Sequence, residues 1–125
     1  MFFNVALANC FIYAVGVVDP IIIHDNQMSA TSYYDKSYGY HPAHHGRLNT
    51  LSSWCSRRAD GSQDWLQVDL GKTFELCGVA TQGNGNGKYD EWVTKFKLSY
   101  SADGSNWTTY LDTDGSQLVR HGFVS

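Results

Sequence analysis

Short runs of alternating apolar and polar residues, separated by glycine turns, fill the chain from residue 65 to residue 115 and limit its fold more than any other feature. Within residues 66–70, the leucines and the valine point to one face of an extended segment, and the glutamine and the aspartate point to the other. The pairs Asp103-Gly104 and Asp114-Gly115 mark tight turns, because glycine tolerates a positive φ. No segment has the length and period of a useful helix. The pattern predicts an all-β sandwich.

The clearest predicted strand runs from Trp92 to Tyr100. Phe96 and Leu98 share one face with Trp92 and Tyr100. The opposite face carries Val93, Lys95, Lys97 and Ser99. A slip of one residue would bury both lysines, so the register is well specified. Residues 74–81 are apolar on both faces, which predicts a buried strand. The residues expected in the core are Leu66, Val68, Leu70, Phe96, Leu98 and Trp107.

Length, charge and motifs narrow the class of protein. The 125 residues suffice for one domain with its own core. The formal net charge is −3 and the largest basic cluster is the pair Arg57-Arg58, which argues against a nucleic-acid partner. The chain has no Gly-x-Ser-x-Gly, no phosphate-binding glycine loop and no His-Glu-x-x-His. We therefore expect no enzyme activity and no cofactor.

The N-terminal segment is open to two interpretations. Residues 2–18 are uncharged and mostly apolar, but the run is short for a membrane span and no basic residue precedes it. In one interpretation, residues 1–18 are a signal peptide or an N-terminal extension and residues 19–125 form the domain. In the other, Val15–Ile23 already form the first strand of the fold.

Five short motifs occur in a fixed order along the chain. They are Gln27-Met28-Ser29-Ala30-Thr31-Ser32, Gly46-Arg47-Leu48-Asn49, Trp54-Cys55, Trp65-Leu66-Gln67-Val68-Asp69-Leu70-Gly71 and Val79-Ala80-Thr81-Gln82-Gly83. Each motif alone is weak, but together they resemble the discoidin domain, also called the coagulation-factor type C domain. The resemblance covers about residues 27–115. It implies a jelly-roll β-sandwich of the galactose-binding-domain-like type, located outside the cell, with ligand-binding loops at one end.

By this resemblance, two segments correspond to binding loops. Residues 33–41 are rich in Tyr, Ser and Gly, as antibody paratopes are, although the tyrosines could instead pack over the end of the sandwich. Residues 83–90 carry glycines and asparagines that tolerate unusual backbone angles. Arg57 is a third candidate for an acidic ligand, with a solvated side chain as the alternative. The candidate ligand-binding residues are Tyr33, Tyr34, Tyr38, Tyr40, His41, Arg57, Asn84, Asn86, Lys88 and Tyr89.

The polar character of the second loop decides between ligand classes. In lipid-binding relatives the corresponding loop carries bulky apolar residues that enter the bilayer, whereas residues 84–90 carry Asn, Lys and Asp, which are costly to bury. We therefore predict an adhesion or binding module for a glycan, collagen or another matrix or cell-surface protein. A structural unit of matrix assembly and a phospholipid-binding module are the alternatives.

Two basic features have structural interpretations. His41, His44 and His45 lie in a predicted loop, so we expect solvated histidines and no metal site. Arg47 is expected to pair with Asp69 or with a backbone carbonyl.

The cysteines and the C-terminus raise a pairing question. Three cysteines leave one unpaired within the chain. A Cys55–Cys77 disulfide is a candidate if their strands are neighbours, since a bridge needs Cα atoms about 4.4–6.8 Å apart. By the resemblance, Cys55 instead pairs near the C-terminus, and Cys10 pairs with a final cysteine that lies beyond Ser125.

The family's last strands follow the segment that resembles Leu118-Val119-Arg120. We therefore expect an incomplete sandwich, or one completed by another chain, with an open sheet edge that favours association. Asn106-Trp107-Thr108 is an acceptor pattern for N-glycosylation at a turn, which predicts a glycan on secreted protein. We expect the side chain of Trp107 to be buried.

Overall fold

The computed structural model describes residues 2–9, 14–35, 40–57, 63–86, 88, 91–112 and 114–115. Within these ranges the regular structure is almost entirely strand, which confirms the predicted all-β class. The strands are β1 (Phe2–Asn9), β2 (Met28–Ala30), β3 (Trp54–Cys55), β4 (Leu66–Val68), β5 (Leu76–Gln82), β6 (Ser99–Tyr100) and β7 (Thr108–Thr109). Two single-turn 3-10 helices span Asp25–Gln27 and Ala43–Gly46.

The largest described sheet has three antiparallel strands in the order β3-β1-β5. Strand β1 lies at its centre, with Asn4 opposite Gln82 and Ala8 opposite Gly78, and the register shifts at Asn9. Residues 2–9 therefore pair within a sheet in this structure. The assignment of residues 1–18 to a signal peptide or an extension stays a prediction.

The core lies beside the β2–β4 pair. Met28 is opposite Val68, and Gln27 extends the pairing by accepting from Asp69 N and by donating from Nε2 to Asp69 O, both at 2.8 Å. The buried cluster consists of Val15, Val17, Ile23, Met28 and Ala43, against which Leu66, Val68 and Leu70 pack. The predicted inward face of residues 66–70 is confirmed. Residues 15–23 contribute to this cluster through turns. The interpretation that Val15–Ile23 form the first strand is therefore wrong.

The segment 92–100 departs from the predicted alternation. Only Ser99–Tyr100 is strand, Val93 is buried with 5% of its surface exposed, and Trp92 is 39% exposed. Phe96 and Leu98 are half-buried while Lys97 is exposed, so the predicted order of burial holds in the middle of the segment.

Two further burial predictions are wrong. Trp107 is 48% exposed, and Leu76 at the start of β5 is 39% exposed. Strands β6 and β7 pair only with each other among the described residues, so one layer does not suffice to bury both faces of the hairpin. Both predicted turns are present, with φ of 72° at Gly104 and 78° at Gly115.

The register of β1 separates the two cysteines proposed to form a bridge. Cys55 lies opposite Phe2, whereas Cys77 lies beside Gly78, which is opposite Ala8. Six residues along a strand span roughly 20 Å, which exceeds the Cα separation of a disulfide. A Cys55–Cys77 bridge is incompatible with this sheet. The Cys55 Sγ is buried 3.4 Å from the carbonyl oxygen of Ser56, and this burial raises the pKa of the thiol. Cys10 lies outside the described residues.

Candidate ligand-binding site

Strand β3 anchors the first candidate loop. Tyr34 N donates to Cys55 O at 2.8 Å, Cys55 N donates to His41 O at 3.4 Å, and His41 N closes the loop by donating to Tyr34 O at 2.9 Å. Trp54, only 1% exposed, donates from Nε1 to Ser32 O at 2.9 Å. Because both ends of the loop are tied to a buried strand, the positions of its flanking side chains are well defined.

Four rings form a continuous row beside this loop, which we call the aromatic row: Tyr33, Tyr40, His45 and His44. Each neighbouring pair is edge-to-face, with centroids 5.6 Å apart for Tyr33 and Tyr40, 5.8 Å for Tyr40 and His45, and 4.9 Å for His44 and His45. This geometry suits ring quadrupoles. Tyr33 is 42% exposed and Tyr40 is 56% exposed, so the row presents two tyrosines to solvent. The alternative, in which the loop tyrosines pack over the end of the sandwich, therefore does not hold for Tyr33 and Tyr40.

The histidines are engaged rather than solvated. His41 Nδ1 lies 2.9 Å from Ser53 O, and His45 Nδ1 lies 2.9 Å from Ser52 Oγ. Burial lowers the pKa of His45, and the nearby imidazoles of His44 and His41 lower it further. The prediction of solvated histidines is wrong for His41 and His45. No group of three or more metal-ligating side chains converges within the described ranges.

Arg47 holds the segment that carries these histidines. Its side chain is buried and donates to three oxygens: Val17 O, Ile23 O at 2.8 Å, and Asp25 Oδ1 at 2.8 Å. The hydrogen bond from Arg47 lowers the pKa of Asp25. The predicted pairing with a backbone carbonyl is confirmed, but Asp69 is the wrong acid, because its carboxylate accepts from Gly71 N at 2.8 Å.

The second candidate loop is braced by its own asparagines. Asn84 binds Glu91 twice, through backbone N to O at 2.8 Å and through Nδ2 to Oε2 at 3.2 Å. Asn84 Oδ1 accepts from Asn86 N at 3.2 Å, and Asn86 Oδ1 accepts from Lys88 N at 2.9 Å. These short-range bonds stabilise a turn of the kind that Asn favours. Within the described part of the loop, residues 83–86 and 88, the polar groups are therefore held by a hydrogen-bonded backbone.

The segment 49–52 joins the two loops, and sequence reasoning missed it. Asn49 N donates to Gln82 Oε1 at 3.0 Å, and Gly85 approaches the Thr50 carbonyl so closely that a Cβ would overlap it. Ser52 contacts His45 on the other side. Leu51 is 83% exposed between them, and a lone leucine in a polar loop was the available signal.

The other predicted site residues divide into three groups. Arg57 is exposed beside Tyr33, since its backbone N donates to Ser32 Oγ at 3.1 Å. Asn106 is exposed on the β6–β7 turn and does not belong to the aromatic row. Tyr38 and Tyr89 lie outside the described residues.

Exposed tyrosines beside polar loops, held by the strands of an all-β fold, are typical of ligand-binding surfaces. The sequence model of the F5/8 type C domain matches residues 27–123. The chain belongs to this family, the discoidin domains. Its fold is therefore a β-sandwich, and the predicted family is confirmed.

Curated relatives support the same assignment. The chain is similar to mouse lactadherin, with 36% identity over 105 residues that cover 78% of this chain and 22% of the relative. It is also similar to mouse retinoschisin, with 38% identity over 89 residues that cover 68% of this chain and 38% of the relative. The matched region thus spans well under half the length of these relatives. No solved structure gives a significant match.

Family membership settles the compartment and the broad class. Discoidin domains are extracellular, which confirms the predicted location outside the cell, and they are non-enzymatic binding domains. Among the described residues, no helix is both long and apolar enough to cross a bilayer.

Proposed function

We propose that this chain binds a polar extracellular ligand, a glycan or a matrix or cell-surface protein such as collagen, through the aromatic row and the adjoining loops. The observation that carries the proposal is the exposed Tyr33–Tyr40 pair, fixed by β3 and flanked by His45. Tyrosine offers a large contact area at a low cost in conformational entropy, and its hydroxyl exchanges hydrogen bonds. A sugar ring presents a C–H face, which can stack on a tyrosine ring, and hydroxyls, which can hydrogen-bond with the tyrosine hydroxyl.

The charges near the site favour a neutral ligand. Two exposed basic residues, Arg57 and Lys88, lie in or beside the loops. Two acidic residues, Asp25 and Glu91, balance their charge. Asp25 is already bound by Arg47, and Glu91 is bound by Asn84. Because neither sign of charge dominates among these four described residues, we infer that hydrogen bonding and stacking supply the recognition rather than ion pairing.

One observation favours a phospholipid surface as the second candidate. Leu51 is 83% exposed and lies directly beside the loop that carries Asn84 and Asn86. A single leucine contributes about 1.5–3 kcal/mol on full burial, which is too little for stable membrane binding without further apolar residues. The polar side chains next to it oppose insertion.

The test is a binding panel with matched variants. The panel contains immobilised glycans, collagen, and phosphatidylserine vesicles. Tyr40→Ala should weaken binding to the recognised ligand at least tenfold, because a central aromatic contact is lost, which corresponds to about 1.4 kcal/mol. Tyr110→Ala is the control, since Tyr110 is also an exposed tyrosine but lies after β7.

The panel separates the candidates. Glycan or collagen binding that Tyr40→Ala weakens and Tyr110→Ala leaves intact supports the proposal. Selective binding to vesicles that Leu51→Ser abolishes would establish the phospholipid alternative instead. Concentration-dependent self-association with no ligand bound would favour the matrix-assembly unit.

A further inference from the structure

The hairpin β6–β7 contains a second built feature, remote in sequence from the ligand loops. The Asp103 carboxylate accepts four hydrogen bonds, from Ser105 N and Asn106 N at 2.8 Å, from Asn106 Nδ2 at 2.7 Å, and from Ser101 Oγ at 3.0 Å. These donors hold the pKa of Asp103 well below its usual range. The turn thereby fixes both the backbone and the side chain of Asn106, which is exposed.

The register of the hairpin places an aromatic ring across from the last residue of the acceptor pattern. Ser99 lies opposite Thr109, and their hydroxyls are 3.5 Å apart, so these two share one face. Tyr100 lies opposite Thr108 and shares the other face. Asn106 lies two residues before Thr108, in the turn that leads into β7.

That face carries an exposed aromatic ring. Tyr100 is 56% exposed although it sits in a strand, directly across from the hydroxyl residue of the acceptor pattern Asn106-Trp107-Thr108. A single exposed aromatic ring is common on protein surfaces, and its face is available for stacking. The C–H face of a sugar covers such a ring while its hydroxyls stay in water.

We propose that Asn106 carries an N-linked oligosaccharide whose first sugar lies against the ring of Tyr100. In the transfer, Asn106 Nδ2 forms a bond to the anomeric carbon of an oligosaccharide carried on a lipid diphosphate. The bond from that carbon to the diphosphate oxygen breaks, the lipid diphosphate leaves with the electron pair, and one Nδ2 proton passes to a base of the transferase. The product amide keeps one N–H, which is what Asp103 Oδ2 accepts in the folded hairpin. Glycosylation and the hairpin turn are therefore compatible.

The modification is tested on the full chain passed through the secretory pathway of eukaryotic cells behind a cleavable leader. A C-terminal Asn-Ala-Thr tag reports entry into that pathway. On enzymatic release of N-linked glycans, the wild type and Thr108→Ser should each lose two glycans by mass. Asn106→Gln and Thr108→Ala should lose only the glycan of the tag. A wild type that loses only the tag glycan overturns the proposal.

The contact with Tyr100 is tested by thermal melting. Protein with its glycan should melt about 3 °C above the same sequence made with glycosylation blocked. Tyr100→Ala should keep the glycan but lose this difference. Leu111→Ala, an exposed change on the opposite face, should keep both. A difference that persists in Tyr100→Ala, or that is absent from the wild type, overturns the placement of the sugar.

Discussion

Replacing Arg47 by methionine should destabilise the protein strongly, although the residue contacts neither candidate loop directly. The change keeps most of the buried side-chain volume but removes the donors to Val17 O, Ile23 O and Asp25 Oδ1. An unsatisfied buried carbonyl costs about 1–3 kcal/mol, so the two carbonyls together predict a loss of about 2–6 kcal/mol in the free energy of unfolding. The salt bridge adds little, because the side chain of Asp25 is 56% exposed and well screened.

The controls separate the carbonyl contacts from the charge pair. Asp25→Asn should cost no more than about 1 kcal/mol, since it alters only the exposed partner. Arg57→Met should stay within about 0.5 kcal/mol, because Arg57 is an exposed arginine. Urea unfolding followed by tryptophan fluorescence measures all three, with the buried Trp54 as the reporter.

The pH dependence of the Asp25 term has a definite sign. Its pKa is lowered in the folded state, so its contribution is present above the ordinary aspartate pKa and is lost as the pH falls through the folded-state value. The gap between the wild type and Asp25→Asn should therefore close on acidification. An Arg47→Met protein as stable as the wild type, or an Asp25→Asn protein equally damaged, would refute the reasoning.

Three further outcomes are expected. The pKa of His45 is lowered in the folded state, so the unfolded chain binds the proton more readily. The free energy of unfolding should therefore fall as the pH drops below the ordinary histidine pKa. His45→Gln should flatten that fall in unfolding curves measured between pH 7.5 and about 5.5. Trp54→Phe should cost about 1–3 kcal/mol in urea unfolding, because Ser32 O loses its donor in a part-buried site and a smaller ring fills the space; an unchanged midpoint would contradict the role given to this bond. Gly85→Ala should cost about 1–3 kcal/mol by forcing a Cβ against the Thr50 carbonyl, and should weaken ligand binding together with stability; full activity would show that the two loops act independently.

Sequence patterns were most informative where one strand packs on one core. The alternation in residues 66–70 predicted which side chains point inward, because β4 has a single covered face beside Met28. The turns at Asp103 and Asp114 were predictable, because both precede a glycine with positive φ. The family motifs predicted the class of the domain, which the match over residues 27–123 confirms.

Burial on the hairpin could not be predicted from alternation alone. A period of two residues distinguishes two faces but does not say whether either is covered, and both Trp92 and Trp107 are largely exposed. The sequence pattern also could not predict which residues far apart in the chain contact each other. Arg47 pairs with Asp25 rather than Asp69 because the turns of residues 15–23 bring Asp25 and two carbonyls to it.

The candidate site was predicted in its residue types but not in its connections. Tyr33 and Tyr40 were named from loop composition, whereas the row they form with His45 depends on the 3-10 helix Ala43–Gly46. The joining segment 49–52 offers one signal in its composition, the leucine at position 51, and its role follows from contacts with Gln82, Gly85 and His45.

The central position of β1 has a consequence for the order of folding. The β6–β7 hairpin closes a short loop, whereas β1 must find β5 across most of the chain, with Asn4 pairing to Gln82. The longer loop costs about 2 kcal/mol more in closure entropy, and non-local antiparallel pairing is slow. Among the described strands, β3 and β5 each pair with β1 alone in their sheet, so neither gains a sheet partner there until β1 is in place. The β1–β5 pairing is therefore expected to form late, after the local β6–β7 hairpin has closed.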